Sequence, residues 1–221
     1  MMKRKAVRAA IVLLLGSAVW VSPLPSQAAE AAAKSATKGG SDAGSAERSG
    51  IRIRKFSSMG NQSNIKMPEI KANIPASPKP PQDWVQVFTV FDTAPECIEE
   101  LTFQYYVLAE KVVDGKKAYS LYKCNVRYGD IEGRKGHLSG VFMPPVAAKR
   151  FGPIVAAAVE ISRDGTIVAE EDESSPAAKL PKKWWTQIDT FKDVTVRDGY
   201  LLPKNKSPFY FVNVDDYEME R

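Results

Sequence analysis

The stretch LTFQYYVLAEKVVDGKKAYSLYKCNVRY, Leu101–Tyr128, limits the fold more than any other part of the chain. Apolar residues alternate on both sides of Asp114-Gly115, a pair whose ease with positive φ suits a two-residue hairpin turn. With the turn there, residues whose numbers sum to 229 face each other. Leu101 meets Tyr128, Phe103 meets Val126, Tyr105 meets Cys124 and Val107 meets Tyr122, all on one apolar face. Thr102, Gln104, Lys123, Asn125 and Arg127 share the other face. A slip of one residue would scramble both, so turn chemistry and alternation select one register.

The same period of two recurs downstream. WVQVFTVF (Trp84–Phe91) reads as a strand, and PIVAAAVEISRDGTIVAEE as a second hairpin. A three-residue loop with Gly165 in the left-handed position would pair Ile161 with Ile167 and Val159 with Ala169. Asp198-Gly199 separates two short runs, and Pro208–Val214 reads as the last strand. Proline at the start and glycine at the end of Pro144–Gly152 fit a helix of one or two turns. Seven or eight strands, frequent turns and almost no helix predict an all-β, antiparallel β-sandwich of immunoglobulin-like type.

Three segments organise the chain. Residues 1–28 have four basic residues, an apolar run of thirteen residues and small residues at a cleavage point, the pattern of a secretory signal peptide. The run is shorter than the roughly 20 residues a bilayer span needs, so the mature chain is expected to be exported, to the periplasm or outer surface, without a transmembrane segment. Residues 29–82 read as a low-complexity, proline-rich linker whose composition cannot offset its ordering entropy. Within it, Ile51–Phe56 alternates apolar and basic residues, a pattern that fits an edge strand or an unpaired sticky patch. Residues 83–221 hold the sandwich.

Charge follows the same division. The formal +5 of the chain is +4 in residues 1–28, +5 in residues 29–82 and −4 in residues 83–221. A mildly acidic domain behind a basic arm argues against nucleic acid as a partner.

Chemistry-bearing residues are sparse. Cys97 and Cys124 form a disulfide candidate, which an oxidising compartment favours. The register opposes it, because Cys124 faces Tyr105 and Cys97 lies eight positions away, about 27 Å at 3.4 Å per residue. Only a fold-back of Ala94–Glu100 would join them. His137, the one histidine, reads as a lone surface residue, although Ser139 shares its face. Glu170–Glu173 and Asp215-Asp216 lack the spacing of a calcium loop, and no zinc pattern or phosphate loop is present. No metal, no cofactor and no catalytic set is expected. In KLPKKWWTQ, a strand would send Trp184 and Trp185 to opposite faces. One of them, beside Lys182 and Lys183, would then stand outside to stack on a glycan or anchor a partner.

The order DWVQVF, LTFQYYVL…DG…YSLYKC, SGVFMPP, IVAAAVEI and PFYFVNV resembles exported immunoglobulin-like β-sandwich proteins that accompany bacterial type IV pilus systems. The likeness covers about Asp83–Tyr217 and implies a surface or periplasmic module binding envelope or pilus proteins. Open sheet edges also suit self-association. The likeness carries no catalytic residues. Unlike a pilin, this chain reads as losing its apolar segment to signal cleavage.

Overall fold

In the computed structural model the described residues are 50–60, 63–68, 82–93, 95, 97–191, 193–213 and 216–221. They fall within one unit, Gly40–Arg221. The segment read as a signal peptide and about two thirds of the segment read as linker, its main proline cluster included, lie outside them.

Ten strands and a short helix are present among these residues. They are β1 (Arg52–Ser57), β2 (Asn64–Ile65), β3 (Trp84–Asp92), β4 (Ile98–Val113), β5 (Lys116–Ile131), β6 (His137–Met143), α1 (Pro145–Phe151), β7 (Ile154–Arg163), β8 (Thr166–Ser174), β9 (Val194–Val196) and β10 (Leu202–Pro203). The first sheet runs β1-β3-β6-β10, with β2 also on β3; the second runs β8-β7-β4-β5-β9. Pairing is antiparallel except for β5 with β9. The molecule is a β-sandwich, with more strands than the sequence pattern counts because β1, β2, β9 and β10 are short or lie beyond the expected start.

The long hairpin has the register that its turn dictates, from Val113↔Lys116 through Tyr105↔Cys124 to Leu101↔Tyr128. Asp114 and Gly115 both have positive φ, 51° and 73°. The second hairpin differs from expectation. Asp164 (φ 52°) and Gly165 (φ 76°) form a two-residue turn, so Arg163 faces Thr166. A bulge then shifts the ladder, and Ile161 meets Ala169 and Val159 meets Glu171. Ile167 is thereby turned outward and is 52% exposed. Apolar alternation could not reveal this shift, because a bulge adds one residue to a strand without a sequence marker.

Ile51–Phe56 supplies a real strand. β1 pairs with Phe88–Asp92 of β3, and Ile51 is fully buried in the core. The described sandwich therefore includes a strand ahead of Asp83, within the segment read as linker. α1 follows the proline-to-glycine punctuation, and Gly152 closes it at φ 93° with its N–H donating to Ala148 O. A side chain at Gly152 would run into the Glu110 carbonyl, so both backbone angle and space require glycine.

Pro208–Val214 is not a strand in its described part. Residues 208–211 form turns that lay Phe209 on Trp84 and Phe142, with ring centroids 5.6 and 4.7 Å away. Those residues form a small cluster on the outer face of the first sheet. Apolar alternation there records a covering segment, not a pleat.

Candidate interaction surfaces and a buried polar network

The inner faces of the two sheets build the main core, with Phe91, Phe103, Val107, Tyr122, Val126 and Val159 among its fully or nearly buried members. Its centre is polar. Tyr105, from β4, donates to Thr89 Oγ1 of β3 at 3.0 Å and lies 2.7 Å from Ser139 Oγ. Tyr128, from β5, also lies 2.7 Å from Ser139 Oγ. The hydroxyls thus tie one sheet to the other across the core, satisfying groups that burial would otherwise penalise. Burial pushes both phenols above their ordinary range.

His137 is fully buried, contrary to the surface position expected for it. As a β6 residue directly opposite Phe91 it points into the sandwich, and its ring stacks on Phe91 at 5.0 Å. Its Nε2 lies 2.8 Å from Thr93 Oγ1, and its Nδ1 is hydrogen-bonded to the Glu218 carboxylate. Ser139 is engaged by the tyrosines, so no His137–Ser139 pair exists. A carboxylate, an imidazole and a hydroxyl do stand in series, but Thr93 is fully buried and its hydroxyl also contacts the Glu132 carbonyl at 2.6 Å. The array ties down a loop and a tail; it presents no nucleophile to solvent.

The tail responsible is residues 216–221. Glu218 N donates to Leu138 O of the first sheet, and Arg221 N donates to Arg127 O of the second. Glu220 accepts from Lys204 N and Asn205 N at 2.7 and 3.0 Å, and partial burial raises its carboxyl above the usual range despite those bonds. The segment straps the two sheets together and lines an open cleft of about 560 Å³ with Gly129, Asp130, Glu132 and Arg134. Sequence reasoning missed Glu218, since nothing local distinguishes it from other surface glutamates.

Trp184 and Trp185 are both buried, at 0% and 4% exposure, which removes the exposed tryptophan that a strand would have produced. The segment Trp184–Thr190 is a 3-10 helix, not a strand. It covers the outer face of the second sheet, packing on Leu108, Leu121, Ala156 and Ala158. Trp185 Nε1 donates to Glu160 at 2.7 Å, and the other oxygen of that carboxylate accepts from Tyr106 Oη at 3.0 Å. Burial and that carboxylate push the Tyr106 phenol up to about 12. Lys182 and Lys183 are exposed, and Lys183 pairs with Glu170.

Cys97 is exposed and Cys124 buried, and the two thiols are unpaired. The fold-back that a bridge required does not occur: β4 runs on straight from Ile98, opposite Ile131, and keeps the register that separates them. Burial pushes the Cys124 thiol up to about 12. Among the described residues no group of three or more His, Cys, Asp or Glu side chains is placed to hold a metal ion, and no helix is long and apolar enough to cross a membrane.

Two sheet edges lie side by side. β8 is the outer strand of the second sheet and carries Glu170, Glu171, Asp172 and Glu173 in succession. β1, with Arg52, Arg54 and Lys55, flanks the first sheet. The two meet where Ser58 N and Oγ donate to Glu173 at 2.8 and 2.9 Å.

No curated protein matches the chain. The crystal structure of a protein from Akkermansia muciniphila is similar, with a TM-score of 0.60 and 20% identity over 77% of this chain and 92% of that one. At that identity the likeness carries the fold alone, a two-sheet sandwich. The match to a protein-family model begins at Ile51, the buried residue just ahead of β1, and spans residues 51–221. The chain belongs to the family that this model describes.

Proposed function

We propose that the chain is an exported, non-enzymatic module of the cell envelope or pilus machinery that binds another protein by strand addition to β8. The observation that carries this reading is the β8 edge itself. It is nine residues long and paired only on its β7 side among the described strands. A strand so placed offers a row of backbone donors and acceptors. Its four consecutive carboxylates select an incoming strand of basic or neutral character and repel acidic ones. The signal-peptide pattern and the pilus-system resemblance of the strand order support the location. The buried state of Thr93, His137 and Ser139 supports a role without catalysis.

A photo-crosslinking side chain at Asp172 should capture a discrete envelope protein, while the same group at exposed Arg127 should not. Equal capture from both positions, or none from either, overturns the proposal.

A further inference from the structure

β4 and β5 are the longest strands, sixteen residues each, and they outrun their neighbours. The β7 pairing with β4 ends at Ala109↔Ile154, and β9 joins β5 only from Tyr119. Beyond those points the hairpin projects as a finger whose residues 111–118 are all exposed. At its end stand Val112 and Val113, 61% and 47% exposed. Val112 faces Lys117 and Val113 faces Lys116 across the ladder. Because neighbouring strand residues point to opposite sides, each face of the finger shows one valine and one lysine.

Charge accompanies the apolar tip. Residues 111–118 hold Lys111, Lys116 and Lys117 against one carboxylate, Asp114, which occupies the left-handed turn position. Glu110 at the base is paired with Lys117 at 2.9 Å. Lys111 Nζ donates to the Arg150 carbonyl at 2.9 Å, which sets the exposed basic end of α1, Lys149 and Arg150, beside the finger. A basic pole thus protrudes from a domain whose residues 83–221 sum to −4.

A folded partner with a flat face would cover one side of a two-stranded finger and leave the other valine in water. A bilayer interface surrounds an inserted tip, taking both valines while the lysine stems extend to headgroup phosphates. We propose that this finger docks the chain onto an anionic lipid bilayer. The lysines would contact headgroup phosphates, and Val112 and Val113 would enter the interfacial layer. The inference is independent of strand addition at β8, which lies on another edge of the second sheet.

The test is co-sedimentation of the full chain with phosphatidylglycerol–phosphatidylcholine vesicles, with pure phosphatidylcholine as the neutral arm. Binding is expected to the anionic vesicles only and to weaken with salt. Val112→Ser with Val113→Ser, and separately Lys116→Glu with Lys117→Glu, should each lower partitioning at least tenfold. Both pairs are exposed, so the circular dichroism and thermal midpoint should stay close to those of the parent. All variants keep residues 1–82, so binding through the basic arm or the apolar N-terminal run would persist equally in each. Undiminished binding of both double variants, equal binding to neutral vesicles or no binding to anionic vesicles overturns the proposal.

Discussion

The Glu218 carboxylate is hydrogen-bonded to Nδ1 of His137 from eighty-one residues further along the chain. That bond joins the tail to the inside of the first sheet, and the Arg134 guanidinium holds the same carboxylate at 3.0 Å. Removing one member of a largely buried hydrogen-bonded pair leaves the other without its partner. Glu218→Ala should therefore lower stability by about 2–3 kcal/mol in urea unfolding. Amide exchange at Glu218 and Arg221 should quicken more than exchange in β4. An unchanged urea midpoint would refute the latch.

Trp184 and Trp185 act as a cover for the second sheet. Truncating either to alanine should cost about 3–5 kcal/mol, the usual range for a buried tryptophan. Trp185→Phe should cost less, about 1–2 kcal/mol, because mainly the bond to Glu160 is lost. Intrinsic fluorescence of the folded protein should be blue-shifted and poorly quenched by iodide. Efficient quenching of two tryptophans with stability unaffected by truncation would contradict this arrangement.

The cysteines should behave oppositely. Iodoacetamide should modify Cys97 in the folded protein and reach Cys124 only after denaturation, because its thiol is buried and its pKa is pushed up to about 12. Intact-mass measurement with and without reductant should show no 2 Da difference. Protection of both thiols, together with that mass difference, would restore the disulfide.

Glu171 and Asp172 on β8 both hold their protons more tightly than usual, through burial first and neighbouring carboxylates next. A raised folded-state value means that ionisation subtracts stability at neutral pH. The deficit disappears as pH falls through the folded value toward the ordinary carboxylate range. Glu171→Gln with Asp172→Asn should therefore raise the melting temperature at pH 7.5 and give no gain near pH 4. Solvent screening on this exposed edge limits the effect to a few tenths of a kcal/mol, on the order of 1–2 °C. A gain that grows on acidification would reverse the assigned sign.

The local sequence determined the long hairpin. Asp114-Gly115 fixes a turn, and the alternation on both sides admits one register without reference to any distant residue. It likewise placed α1 between proline and glycine, whereas the separation of Cys124 from Cys97 was settled only by the straight run of β4. Tertiary structure decided what the outer surfaces and the tail would do. The local sequence around Trp184-Trp185 and Phe209 suits a strand or a covering segment alike, and only the hydrophobic outer faces around Leu108 and Phe142 select the covering segment. His137 became an interior residue because β6 lies between β3 and β10, and its partner Glu218 arrives from the tail. Nearest neighbours set torsion angles and alternation, whereas burial and partnership depend on which distant segments arrive.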